Sequence, residues 1–304
     1  MLQLCDMRLR ILVSTIIGMV SGIYCWFLLS RFHLGAADFG SSIRIAQALL
    51  AHQNPYADKA QLYPLPAGLF GLPFVALRPE LAGGVFYGIS SALLAFGLTR
   101  SGYSRLPIFF AYPYWAALIT AQWSPILMAS AFFPLLLLGI LAKPQIEFPI
   151  AITHLKWREV VLCIVICLFS LWIMPSWPKQ WISHFFEYKR FIPVLVFPGP
   201  LLALALYRYR DRDAWLLFLS AIMPQRWFYD AFILWLIPKS RREILATVAA
   251  SWCVGVWRWY HMPASITQVG RWSVLFFYLP MLIIIVTRKN VNSLRIPVES
   301  PSAA

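Results

Sequence analysis

The chain has 304 residues, 60% of them hydrophobic and only 12% charged, with a mean hydropathy of +0.68. Soluble domains carry about 25% charged residues, so a soluble globular domain is excluded and a chain that threads a bilayer repeatedly is predicted. The formal charge of +14 comes from 26 Lys and Arg against 12 Asp and Glu. With no polar stretch long enough for a soluble basic module, that excess reads as juxtamembrane anchoring and not as nucleic-acid binding.

In chain order, the first apolar run covers 10–30. Its length of about 20 residues exceeds the core of a cleavable signal peptide, so it reads as an uncleaved first helix. Further runs bounded by charge, Pro and Gly follow near 64–77, 81–99, 106–120, 124–141, 144–155, 159–175, 191–207, 213–224, 227–238, 243–260 and 272–288. Several are too short to cross a hydrocarbon core of about 30 Å upright. Such pieces are predicted to be broken or re-entrant, lining a polar interior. The predicted fold is all-α, a single polytopic membrane domain over residues 1–304 with about 10–12 transmembrane or re-entrant helices. With 1–9 and 289–304 in the cytoplasm, 31–63 becomes the first exoplasmic loop. The basic clusters Arg8/Arg10, Lys156/Arg158, Arg208/Arg210/Arg212, Lys239/Arg241/Arg242 and Arg288/Lys289 then fall inside, as do Arg78 and Arg295. Two amphipathic stretches, 43–50 and 177–191, are predicted to lie along the outer interface. No internal repeat is visible. Five cysteines show no CxxC pairing, and Cys163 and Cys167 on one helix face read as apolar packing.

No phosphate loop, GxGxxG, HExxH or GxSxG element is present. The residues that need explaining are ionisable groups in or beside the apolar runs, where they are costly and by default functional. Asp38 opens a polar segment just beyond the first run, well placed as a base at the membrane surface; its bland role is an N-cap for the following helix. Asn54-Pro55-Tyr56 and Tyr63-Pro64-Leu65-Pro66 are turn signals that lead the chain back toward the membrane. Gln122 sits at a break between short runs. Lys143 sits at the next break, contacting substrate, snorkelling to the interface or paired with Glu147 one turn on. In Pro224-Gln225-Arg226-Trp227-Phe228-Tyr229-Asp230, Asp230 lies i+4 from Arg226, either as a structural ion pair or as a substrate contact. His33, His52, His184 and His261 match no metal-ligand spacing.

Taken in order, Asp38, Asn54-Pro55-Tyr56, Tyr63-Pro64-Leu65-Pro66, Ala121-Gln122, Leu141-Ala142-Lys143-Pro144 and the segment Pro224 to Asp230 resemble the polyprenol-phosphate-dependent GT-C glycosyltransferases. The resemblance, over about residues 10–240, is to the family 87 group that includes membrane mannosyltransferases. It implies a GT-C fold in the plasma membrane with the active site facing the periplasm or exterior. It also implies an inverting, metal-independent transfer of a mannose-like hexose from a polyprenyl phosphate to a hydroxyl of a lipid or glycan acceptor. The lipid-linked sugar would be a co-substrate and no cofactor is expected. Asp38 would be the general base, with Asn54, Tyr56, Tyr63, Gln122, Lys143, Gln225, Arg226, Tyr229 and Asp230 as substrate-binding residues. The same charges would also suit a transporter or flippase for an anionic lipid-linked or small solute, or a non-catalytic membrane subunit.

Overall fold

Arg10 sets how the first two long helices face each other. In the computed structural model, which describes residues 2–154, 157–186, 189–261 and 263–288, α1 (Leu2–Arg31) and α4 (Pro79–Leu98) are antiparallel. The Arg10 guanidinium donates to the Phe96 carbonyl at 3.1 Å and lies over the Phe96 ring at 4.6 Å. It thereby caps the C-terminal end of α4 with positive charge. Midway, the two backbones touch through glycines. A Cβ on Gly22 would come within 2.9 Å of the Gly84 carbonyl oxygen and 3.1 Å of the Gly88 Cα, the close approach that small residues spaced by four permit between membrane helices.

This pairing corrects one expectation. Residues 32–78 leave and rejoin the bundle at the same end, so 64–77 does not cross. Pro64, Pro66 and Pro73 limit it to short pieces, including α3 (Gly68–Gly71), that tuck under α2 (Gly40–Leu50). At about 1.5 Å per residue its ten-residue apolar piece Leu65–Phe74 reaches half a hydrocarbon core. Arg78 therefore belongs to the Asp38 end, while Arg100 and Arg105 join Arg10 at the other.

From there the chain runs back and forth between these two ends through α5 (Tyr112–Leu118), α6 (Ser124–Ala129), α7 (Pro144–His154), α8 (Trp157–Ile173), α9 (Trp177–Phe186), α10 (Arg212–Ile222), α11 (Arg241–Tyr260), α12 (Ile266–Ser273) and α13 (Leu279–Thr287). Unusually long 3₁₀ stretches, Tyr103–Phe110, Pro134–Leu141, Gly199–Arg208 and Phe228–Leu236, replace α-helix where prolines and buried turns interrupt it. The described residues contain no strand, only an isolated bridge between Phe191 and Gln225. Among the described residues three helices are long and apolar enough to cross a membrane: Asp6–Arg31, Pro79–Ser101 and Ile266–Thr287. A fourth would be α8 with α9, which bend by 99° at their junction. The predicted tail 289–304, with Lys289 and Arg295, lies outside the described residues, as do Glu187 and Tyr188 of the second amphipathic stretch and Lys156.

At the end away from Asp38 the basic residues hold the fold shut. Asp213 accepts from Arg288 at 2.7 Å and Lys239 at 3.1 Å. Arg288, Lys239 and Arg105 also donate to the carbonyls of Ile237, Leu236 and Trp235, the otherwise unmet C-terminal end of the Phe228–Leu236 helix. That helix is fully buried, and anchoring its far end fixes the residues at its near end, Tyr229 and Asp230.

Candidate functional site

Two strained turns build the site. Ala37 and Ala121 have φ of 46° and 44°, the left-handed region that costs a non-glycine residue about 1–2 kcal/mol. Each immediately precedes a candidate residue, Asp38 and Gln122, and the Asp38 N–H donates to the Thr120 carbonyl at 3.2 Å, stitching the turns together. The strain persists because each candidate is followed by an aromatic residue in the core. Phe39 stacks on Phe86 at 3.8 Å, and both surround Trp123 together with Tyr63 and Phe70. Burying such rings contributes on the order of 2–3 kcal/mol each, enough to hold the turns.

Asp38 is not a helix cap. The N-cap of α2 is Phe39, with no side-chain cap bond. The Asp38 carboxylate is held instead by Lys143, whose Nζ lies 2.7 Å from Oδ2, and by the Tyr63 hydroxyl, which donates to the same oxygen. Lys143 also donates to Gln122 Oε1 at 2.7 Å, and its nitrogen lies 5.6 and 5.5 Å from the Tyr63 and Tyr229 ring centres. The expected partnership of Lys143 with Glu147 does not form. Glu147 is fully buried and takes the Ser130 hydroxyl, because α7 turns it away from the Asp38 side. With side-chain exposures of 10% and 17%, the Lys143–Asp38 pair is a mostly desolvated ion pair whose halves depend on each other.

Asp38, Lys143 and Tyr63 line a cavity of about 350 Å³ together with Ser41, Leu62, Gln145, Trp181, Arg226, Tyr229 and Asp230. Asp230 accepts from the backbone N–H groups of Arg226 at 2.8 Å and Trp227 at 3.4 Å, so its carboxylate closes the turn that carries Arg226. Ser124 donates to the Tyr229 carbonyl at 2.8 Å and fixes that ring's backbone.

Four predicted site residues lie away from the cavity lining, Gln122 among them, its side chain meeting Lys143 from behind. Gln225 is buried and donates to the Ser220 carbonyl and to Tyr278, its backbone pairing with Phe191. Asn54 caps a short turn and donates to Gln180 at 3.0 Å. The Tyr56 hydroxyl donates to the Tyr63 carbonyl at 3.0 Å, and burial raises its phenol well above the usual range, keeping it a donor. These two shape the loop that delivers Tyr63. The sequence reading missed Trp181, Leu62, Ser41 and Gln145. Trp181 was legible only as an interfacial aromatic of α9; the fold turns it inward, its indole N–H donating to the Leu62 carbonyl at 2.9 Å.

The chain passes from Pro64 of this cavity to Leu65 and Pro66 of a second, apolar one of about 390 Å³ between α2, α3 and α8, also lined by Leu49, Leu69, Leu72, Phe169 and Ile173. Among the described residues no group of three or more His, Cys, Asp or Glu side chains is placed to hold a metal ion. Compared with known proteins, the chain matches no protein-family model, no curated sequence and no solved structure.

Proposed function

We propose that this chain is a polytopic membrane glycosyltransferase of the GT-C type. It moves a mannose-like hexose from a polyprenyl phosphate to a hydroxyl of a lipid or glycan acceptor on the outer face of the plasma membrane. The observation that carries the reading is the cavity itself. Two carboxylates, two cations and three aromatic side chains converge at the bundle end that holds α2 and α9, next to an apolar cavity that suits a lipid tail. Its volume falls within the range of about 300–1,000 Å³ typical of small-ligand sites. Aromatic faces suit a sugar ring, and Arg226 places positive charge where a phosphate would sit.

In this mechanism the acceptor hydroxyl attacks the anomeric carbon and gives its proton to Asp38. The anomeric C–O bond to phosphate breaks, and its electron pair leaves with the phosphate. Attack opposite the leaving group inverts the centre. Base catalysis and a fixed cation at the departing oxygen are the two effects the cavity supplies. Bringing donor and acceptor together supplies the rest.

Arg226→Ala is expected to raise the KM for polyprenyl-phosphate hexose about 10-fold or more, the loss of one charge-assisted contact, with a smaller effect on kcat. An unchanged donor KM would remove Arg226 from the donor site. The topology has its own check. A cysteine placed at the exposed Lys59 should react with a membrane-impermeant maleimide in intact cells, as should one placed at Arg78. Labelling of Arg78→Cys only after lysis would contradict the re-entrant path of 64–77.

A further inference from the structure

We infer that Lys143 and Tyr63 are positioning residues for Asp38, and that Lys143 is not a ligand of the departing phosphate. This inference rests on the glycosyl-transfer reading and assigns the division of labour within the cavity. Both groups reach Asp38 through one oxygen, Oδ2. Among the described residues no donor reaches Oδ1, and Asp38 lines the cavity. A carboxylate held by two donors on one oxygen has its rotation fixed and its second oxygen left to take a proton. That is the geometry a base needs, since its efficiency depends on a defined direction toward the hydroxyl it deprotonates.

Lys143 is committed in the same way. Its ammonium already serves the Asp38 carboxylate and the Gln122 amide oxygen, each at 2.7 Å, with aromatic rings on two sides. Turning to a phosphate would strip a mostly buried carboxylate of its counter-charge, a costly exchange. Gln122 thereby acts at one remove: it orients Lys143, which orients Asp38. Tyr63 is in turn set by the Tyr56 hydroxyl on its carbonyl and by Trp123 against its ring. The strained turns at Ala37 and Ala121 bring these groups into register. Arg226, on the opposite segment, is the other cation that lines the cavity.

Tyr63→Phe tests this most cleanly, because it keeps the ring against Trp123 and beside Lys143 and removes only the hydroxyl. Full-length protein in nanodiscs is assayed with polyprenyl-phosphate mannose, and donor affinity is read separately from quenching of tryptophan fluorescence. The expected result is a kcat lower by about 10–100-fold, the loss of one hydrogen bond to a charged group, with donor Kd within about twofold of the parent. A second variant, Lys143→Ala, is expected to lose kcat in the same way and to regain part of it with added methylammonium, at unchanged donor Kd. A Tyr63→Phe protein with parental kcat, or a Lys143→Ala protein whose donor Kd rises about 10-fold while kcat holds, would overturn the assignment. If the unaltered protein yields no product, the glycosyl-transfer reading itself fails, an outcome distinct from either of these.

Discussion

Asp38→Asn is expected to lose transfer by about 10²–10⁴-fold, because asparagine keeps the shape of the side chain but cannot take the acceptor's proton. As the N-cap that the sequence offers for Asp38, asparagine would serve equally and leave stability untouched. The structure gives a different expectation, since Asp38 caps nothing and is the counter-ion of Lys143. Asparagine still accepts hydrogen bonds from Lys143 and Tyr63, so a destabilisation of about 1–3 kcal/mol is expected, short of that for an unpaired buried charge. Adding Lys143→Met should recover much of the thermal stability in detergent without recovering turnover. A double variant less stable than the single would show that the pair is not what holds this corner together.

Gly22→Ile is expected to have the largest effect on the fold. The atoms that a Cβ would meet are the Gly84 carbonyl oxygen and the Gly88 backbone, and neither can rotate away. The helices must separate, at a cost of about 1–3 kcal/mol or more, and the end of α1 that leads to Asp38 moves with them. Val20→Ile, on the exposed outer face of the same helix, provides the control and should unfold at the parental temperature. Equal midpoints for the two variants in a detergent melt would show that the glycine contact is not closely packed.

Much of this was legible in the chain. Charge and hydropathy pointed to apolar helices, and the cost of placing Asp38, Lys143, Arg226 and Asp230 beside apolar runs singled them out before any contact was known. Composition could not tell whether an apolar run crosses. Residues 64–77 are apolar enough, yet three prolines and two glycines leave only a short helical piece under α2, a distinction carried by local geometry. Partners were equally hidden. Lys143 has Glu147 four residues away and Asp38 more than a hundred residues away, and only the fold shows that it chooses the distant carboxylate. Gln225 directly precedes the cavity residue Arg226, and Asn54 and Tyr56 lie in the loop that leads to Tyr63, but their side chains serve the core and the loop. Trp181 gave an amphipathic signal that did not reveal whether its apolar face meets lipid or protein.

The central claim is that the Asp38 cavity transfers a sugar from a lipid phosphate. Its most direct test is product formation by purified protein in nanodiscs, given radiolabelled polyprenyl-phosphate mannose and a membrane lipid extract as acceptor. The account predicts a labelled glycosylated product and free polyprenyl phosphate in equal amounts, both lost in Asp38→Asn. Movement of the intact donor between leaflets with no new glycosidic bond, in parent and variant alike, would contradict it.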